Sequence, residues 1–141
     1  MCIRDRHIAE EVAAEAAARG YRRIGILGTR WLVDSGVYPD KLAAEGLDHV
    51  RPGQEDRDAL ARIIMDELVY GVFKPESVAR LQAIIGNLRD AGCDAVVLGC
   101  TELPLVLNDG NSALPTLDST RILARAALTR ALQPPDARQP R

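Results

Sequence analysis

The segment CDAVVLGC at residues 93–100 constrains the fold most, because most of its apolar residues are consecutive rather than alternating. A strand with one solvent face alternates polar and apolar residues, whereas an apolar run is typical of a parallel strand that is buried on both faces. Parallel strands need long crossover connections, which are usually helical. The sequence therefore predicts an α/β domain in which helices cover a sheet.

Three further short apolar segments alternate with segments that have the residue spacing of helices. The predicted strands are residues 22–29, 48–52, 93–100 and 113–117. The predicted helices are residues 7–19, 31–45, 54–70, 75–91 and 119–132. Strands that alternate with helices favour right-handed crossovers, so we expect a four-stranded parallel sheet flanked by helices.

Length and composition limit the function classes that are open to the chain. Its 141 residues suffice for one ordinary domain, and its 20 acidic and 18 basic residues leave a net charge of −2. That balance provides no basic footprint for nucleic acid, and no apolar stretch reaches the roughly 18 residues of a membrane span. Three cysteines are too few for a disulfide framework. We therefore expect a cytoplasmic protein that binds neither nucleic acid nor a membrane.

The two ends of the chain differ in composition from the rest. Residues 1–6 lack the apolar region of a secretory signal and are interpreted as a non-native leader. Residues 133–141, QPPDARQPR, contain three prolines and no core candidate, so we expect a disordered tail. This leaves residues 7–132 as the predicted domain.

Spacing excludes the common metal and cofactor motifs. The chain has no C-x-x-C or H-E-x-x-H motif, and its two histidines are His7 and His49, so no metal site is predicted. Neither a phosphate-binding loop nor a dinucleotide fingerprint follows a predicted strand. We therefore expect chemistry that needs no cofactor.

In open α/β sheets, ligands bind beyond the carboxyl ends of the strands, which here directs attention to Cys100. It follows a glycine at a strand end and precedes a predicted short helix at residues 102–107. A thiol at a helix N-terminus is expected to have a lowered pKa, while the alternative is a buried cysteine that packs as a small hydrophobic residue. Cys93 lies about 23 Å away along an extended strand, so we interpret it as structural.

Four segments, in order, resemble the aspartate/glutamate racemase family. VVLGCTELPLVL is similar to the family's second cysteine motif, and RRIGILGTRWLVDSGVYPDKL to its Gly-Thr strand and the following helix, with Tyr38 at the usual aromatic place. RIIMDELVYGVFKPES resembles the helix and loop that carry a lysine, here Lys74, and PTLDSTRILARAAL the final strand and helix. The resemblance covers about residues 8–132, and Glu102 after Gly-Cys-Thr favours the aspartate branch.

The resemblance implies a cofactor-independent racemase of small acidic amino acids, aspartate or glutamate. One thiolate removes the α-proton and a thiol on the opposite face returns a proton to the carbanion. Cys100 would be one of these two groups, Thr101 would hold the substrate carboxylate, and Lys74 would pair with a carboxylate. On its own residues, Lys74 could equally be a solvated surface lysine. The weaker site candidates are Thr29, Glu102, Asp118 and Thr120.

The chain also departs from the family pattern, whose members carry two similar α/β domains with the active site between them. No earlier set of strands precedes the first predicted helix, so the chain is interpreted as the carboxyl-terminal domain, inactive without its partner domain and able to form a homodimer. The closing helix would then expose an apolar stripe of Ile122, Leu123, Ala126 and Ala127.

Two alternatives to an acidic-amino-acid racemase stay open at this point. A maleate isomerase or a hydantoin racemase-like member of the same superfamily would also use paired cysteines. A non-catalytic domain that binds a small molecule is the alternative from another class. It predicts that the Cys100 thiol has an ordinary pKa of about 8.5.

Overall fold

A computed structural model describes residues 8–133 as a parallel sheet with helices around it. The elements in chain order are α1 (Ile8–Ala18), β1 (Arg23–Leu27), α2 (Arg30–Asp34), α3 (Val37–Ala44), β2 (Asp48–Val50), α4 (Gln54–Asp66), a 3₁₀ turn (Leu68–Tyr70), α5 (Pro75–Asp90), β3 (Ala95–Leu98), a second 3₁₀ turn (Leu103–Leu105), β4 (Thr116–Asp118) and α6 (Ser119–Leu132). The predicted leader at residues 1–6, the first residue of the predicted helix at 7–19, and the tail beyond residue 133 lie outside the described residues.

The sheet has the strand order β2-β1-β3-β4, and all its neighbours are parallel. This confirms the predicted four-stranded parallel sheet. All four residues of β3 are buried, as the apolar run predicted, although the strand is shorter than residues 93–100. The sheet is therefore covered on both faces, and β1 and β3 form its centre.

The helices fall into two packed groups. Helix α1 packs against α3 and α6, while α4 packs against α2 and α5. Pro75 occupies the first turn of α5, where its missing N–H costs no hydrogen bond. Within residues 8–133, no helix is both long and apolar enough to cross a bilayer.

Three predicted elements differ from the structure for local reasons. The helix predicted at residues 31–45 is two helices, because Ser35 is extended (ψ 166°) and its hydroxyl donates to the Leu32 carbonyl. The helix predicted at residues 54–70 ends at Asp66, and the chain continues as a 3₁₀ turn. The cap of α6 is Asp118 rather than Ser119 or Thr120, because the Asp118 carboxylate accepts from the Arg121 N–H at 3.1 Å.

The apolar stripe predicted on α6 is largely wrong. Ile122 is buried, because α6 lies against α1 of the same chain. Leu123 and Ala126 are partly buried, whereas Leu128 and Leu132 are the large apolar side chains that α6 leaves exposed. The face that the sequence assigned to a missing domain is thus partly covered within this chain.

Candidate functional site

The site candidates lie at the carboxyl edge of the sheet, where β1, β3 and β4 end. Leu27 pairs with Leu98, and Leu98 pairs with Asp118, so the three strand ends lie side by side. The chain crosses to opposite sides of β1 to form β2 and β3, which makes this edge the topological switch point of the sheet. Residues that follow β1, β3 and β4 are therefore available to one ligand.

Two glycines allow the ends of β1 and β3 to approach closely. A Cβ atom on Gly99 would meet the side chain of Leu32 and would lie 2.7 Å from the Leu27 carbonyl oxygen, and one on Gly28 would also meet Leu32. The Gly99 N–H donates to the same Leu27 carbonyl at 2.8 Å. Leu32 of α2 thus packs over both strand ends, directly beside the residue that precedes Cys100.

Replacing Gly99 by alanine is expected to lower the free energy of unfolding by about 1–3 kcal/mol, because the added Cβ displaces backbone rather than a flexible side chain. Gly86 in the interior of α5 is the matched control, since a Cβ there meets nothing within 4 Å. Gly86→Ala should stabilise the domain by up to about 1 kcal/mol. Urea denaturation measures both, and equal effects of the two changes would contradict the close-packing account.

Cys100 lies half-buried at the end of β3 and packs against the hydrophobic core. Its sulfur accepts hydrogen bonds from the main-chain N–H groups of Glu102 and Leu103, and the Glu102 carboxylate accepts the thiol proton. Burial raises the pKa of the Cys100 thiol, and Glu102 raises it further, while the two N–H groups lower it. The net result is a thiol pKa above its ordinary value.

The lowered pKa predicted for Cys100 is therefore wrong, for two physical reasons. The helix predicted at residues 102–107 is only the 3₁₀ turn Leu103–Leu105, so it provides two N–H donors but no extended helix dipole. The Glu102 carboxylate, placed beside the thiol, favours the protonated form. In the isolated domain, Cys100 is thus a protonated thiol at neutral pH.

The pH profile of Cys100 alkylation should reflect this environment. We expect the midpoint for iodoacetamide modification to lie above the ordinary cysteine value of about 8.5, because only the thiolate reacts. Peptide-level mass spectrometry can follow Cys100 separately from Cys93. A midpoint at or below the ordinary value would contradict the burial and the Glu102 contact as the dominant influences.

The other site candidates occupy the same edge but differ in exposure. Thr101 is exposed directly after Cys100, and Glu102 is partly buried. Thr29 is the N-cap of α2, and its hydroxyl oxygen accepts from the Leu32 N–H at 3.4 Å, so one of its roles is structural. Asp118 is likewise engaged as the cap of α6. Thr120, in the first turn of α6, is exposed.

Lys74 is placed at the level of this edge by the length of α5. The helix has 16 residues, or about 24 Å, and its far end connects directly to the start of β3 at the opposite edge. The Lys74 side chain is exposed, and no carboxylate of residues 8–133 lies within ion-pair distance of its ammonium group. Lys41, the other lysine, pairs with Glu10 at 3.4 Å on the α3 side. No direct contact joins Lys74 to Cys100 among the described residues.

Several large apolar side chains at this end of the molecule are exposed, and the sequence did not predict them. The exposed fractions are 72% for Trp31, 76% for Tyr70, 51% for Phe73 and 64% for Leu105. Trp31 follows β1, Tyr70 and Phe73 precede Lys74, and Leu105 lies in the turn after Cys100. We call these four residues the apolar rim. Three of the five aromatic residues in the chain belong to it, which is the signal that sequence reasoning missed.

Cys93 is buried at the amino edge of the sheet, where β3 begins, and it is not bonded to Cys100. The prediction that the two cysteines cannot pair is confirmed. Within the part of the chain that the structure describes, no three His, Cys, Asp or Glu side chains come together as a metal site. The arrangement can therefore present one thiol, one ammonium group, and the amide and hydroxyl donors of the strand ends.

Comparison with known families and structures defines the class of protein. Residues 6–127 match the family model described as Asp/Glu/Hydantoin racemase. The chain belongs to this family. The match spans the whole sheet, including the segments after β1 and β3 that form the carboxyl edge.

Solved structures and curated relatives agree with that family. A candidate Asp/Glu racemase from Yersinia pestis is 35% identical with a TM-score of 0.86, over 90% of this chain and 56% of that chain. An aspartate racemase homologue from Pyrococcus horikoshii is 33% identical with a TM-score of 0.83, over 91% and 56%. A glutamate racemase from Thermus thermophilus is 34% identical over 85% of this chain and 43% of its own length. The chain therefore spans about half the length of these relatives.

Proposed function

We propose that this chain is the Cys100-bearing half of a cofactor-independent racemase of acidic amino acids, aspartate or glutamate. The proposal rests on the family match together with one observation, the half-buried Cys100 thiol at the switch point of the sheet. The second thiol would come from another α/β half that the 141 residues do not include. The exposed apolar rim around the carboxyl edge supports such a partner, because a large apolar surface of this kind favours burial in an interface.

In the proposed reaction, Cys100 works on one face of the substrate α-carbon and the second thiol on the other. With its raised pKa, Cys100 rests as a protonated thiol and can return a proton to the planar carbanion. In the opposite direction it must lose that proton, and the N–H groups of Glu102 and Leu103 then stabilise the thiolate. Glu102 holds the thiol proton between turnovers and so sets its direction.

Cations that are absent from the isolated domain would adjust this balance when substrate binds. The substrate carries an α-ammonium group, and an adjacent positive charge lowers the pKa of a thiol. Closure by the second half also excludes water, which strengthens every electrostatic contact in the site. A raised thiol pKa in the domain alone is therefore compatible with an active pair of thiols in the complete site.

The remaining candidates are proposed to hold the substrate carboxylates. Negative charge from the carbanion spreads into the α-carboxylate, so donors placed there stabilise the transition state. The exposed hydroxyl and N–H of Thr101, beside Cys100, suit that position, and Thr29 adds a donor from the end of β1. Lys74 provides a free ammonium group for the side-chain carboxylate of the substrate.

A hydantoin racemase-like activity is the second candidate, because the family description covers hydantoin racemases as well. A hydantoin ring carries no free side-chain carboxylate to require Lys74, so substrate profiling separates the two. A maleate isomerase or a non-catalytic binding domain stays open in the same experiment. The cytoplasmic location and the homodimer stay predictions, and the latter is tested by light scattering on the purified protein.

The proposal is tested by assaying the chain with and without a second half. We define the two-half enzyme as this chain fused behind the α/β half encoded upstream of it or, failing that, behind the corresponding half of the Pyrococcus horikoshii relative. The chain alone should not interconvert L- and D-aspartate or glutamate, and the two-half enzyme should. Racemisation by the chain alone, lost on Cys100→Ser, would show that the account of a second half is wrong.

A further inference from the structure

Two buried hydroxyl groups lie beneath the strand end that carries Cys100, and the proposed reaction uses neither of them. They belong to Tyr38 on α3 and Ser119 at the start of α6, and each residue is 1% exposed. A buried hydroxyl is costly unless it forms hydrogen bonds, so both groups require partners. Their partners connect three elements that are distant in sequence.

The hydrogen bonds run in one direction. The Ser119 hydroxyl donates to the main-chain carbonyl of Leu98 at 2.9 Å. Tyr38 and Ser119 are also hydrogen-bonded through their side chains. Because Ser119 has a single hydroxyl proton and gives it to Leu98, the Tyr38 hydroxyl must donate to the Ser119 oxygen. The order is therefore Tyr38, Ser119, Leu98 carbonyl.

The Leu98 carbonyl needs this donor because the sheet ends there. The β3–β4 ladder stops at the pair Leu98–Asp118, and at Ser119 the chain turns into α6. From that residue onward the main chain of β4 no longer follows β3, and the Ser119 side chain supplies the donor instead. On the other side, the Gly99 N–H is held by the Leu27 carbonyl of β1 at 2.8 Å. The Leu98–Gly99 peptide group is thus fixed from both sides.

We propose that Tyr38 and Ser119 are positioning residues for Cys100, and that their hydroxyl pair fixes the Leu98–Gly99 peptide group and with it the direction of the thiol. This inference rests on the proposed function for its catalytic meaning. The thiol stays against the N–H groups of Glu102 and Leu103 only while that peptide group keeps its orientation. Neither Tyr38 nor Ser119 touches the substrate.

The chain contains its own reference for testing this role. Cys93 is 5% exposed at the opposite end of β3, so it becomes accessible when the domain unfolds but not when the Cys100 loop loosens. The experiment treats the full chain with iodoacetamide and measures modification of each cysteine by peptide mass spectrometry. The variants are Tyr38→Phe and Ser119→Ala, which remove one hydroxyl each and little else.

Matched controls remove similar hydroxyl groups elsewhere. Tyr21→Phe changes a tyrosine that packs against the core before β1, and Ser112→Ala removes a hydroxyl that donates to the Leu114 carbonyl at 2.7 Å. We expect Tyr38→Phe and Ser119→Ala to raise the ratio of Cys100 to Cys93 modification by about threefold or more, the scale of one lost buried hydrogen bond. The two controls should leave the ratio unchanged.

The pH profile provides a readout that general destabilisation would not move. Burial is the largest cause of the raised pKa at Cys100, and Glu102 is the charged group that contributes to it. A loosened thiol gains solvent, so its alkylation midpoint should fall toward the ordinary cysteine value in both variants. The double variant should exceed the larger single effect only slightly, because the two hydroxyls act in series.

An unchanged ratio in both variants would overturn the inference, and so would a parallel increase at Cys93, which would indicate unfolding of the whole domain. The measurement uses no substrate, so it is independent of the proposed racemisation. If the ratio rises while the two-half enzyme fails to racemise, the proposed function fails and the positioning role stands. If the ratio is unchanged while the two-half enzyme is active, the positioning role alone fails.

Discussion

Cys100→Ser in the two-half enzyme is expected to reduce the racemisation rate by about 10²–10⁴-fold in both directions, the usual contribution of a general acid or base. Serine keeps the size of the side chain, but its hydroxyl is far less acidic than a thiol. The hydrogen bonds from Glu102 and Leu103 can still form, so the loop should keep its conformation. Circular dichroism of aspartate solutions at saturating substrate measures the loss in kcat.

Cys93→Ser provides the control for this change within the same strand. Cys93 lies at the amino edge of the sheet, remote from the proposed site, so its replacement should cost stability rather than kcat. Comparable losses of kcat for both variants, at temperatures where both are folded, would contradict the assignment of Cys100 as the reacting thiol.

Lys74→Gln is expected to raise KM for aspartate by about 10–100-fold, which corresponds to roughly 1.4–2.8 kcal/mol of lost binding. The side chain is exposed and unpaired within residues 8–133, so its removal breaks no ion pair of the folded domain. A charged partner for the substrate carboxylate is lost, however, and the uncharged amide replaces it poorly. The thermal midpoint should stay close to that of the unmodified protein.

Lys41→Gln is the matched control, because Lys41 is the other lysine of the chain and lies on α3 in an ion pair with Glu10. It should change neither KM nor kcat. The comparison also separates the candidate substrates, since a hydantoin without a side-chain carboxylate should be processed equally well by Lys74→Gln and the unmodified enzyme. An unchanged KM for aspartate in Lys74→Gln would contradict the binding role of this lysine.

Most of the fold could be predicted because the strongest signals are local. The apolar run of β3 identifies a strand buried on both faces, and the acidic first turn and apolar spacing of α4 identify a helix. The boundaries were less accurate where side chains compete with the backbone. Ser35 divides one predicted helix into α2 and α3 through its bond to the Leu32 carbonyl, and Asp118 captures the first turn of α6.

The site was predictable in position but not in chemistry. The rule that ligands bind at the carboxyl ends of parallel strands identifies Cys100 correctly as a residue of that edge. The direction of its pKa shift depends on burial and on the side-chain orientation of Glu102, and neither is encoded in residue spacing. The hydroxyl pair of Tyr38 and Ser119 joins residues that are distant in sequence, so only the folded chain reveals it.

The central claim is that Cys100 serves one face of the substrate and a thiol of the second half serves the other. Deuterium incorporation at the α-carbon of L- and D-aspartate, followed by NMR in D₂O for the Cys100→Ser two-half enzyme, tests it most directly. The account predicts that one enantiomer still exchanges its α-proton, through the remaining thiol, while the other does not. Equal exchange of both enantiomers by this variant would contradict it.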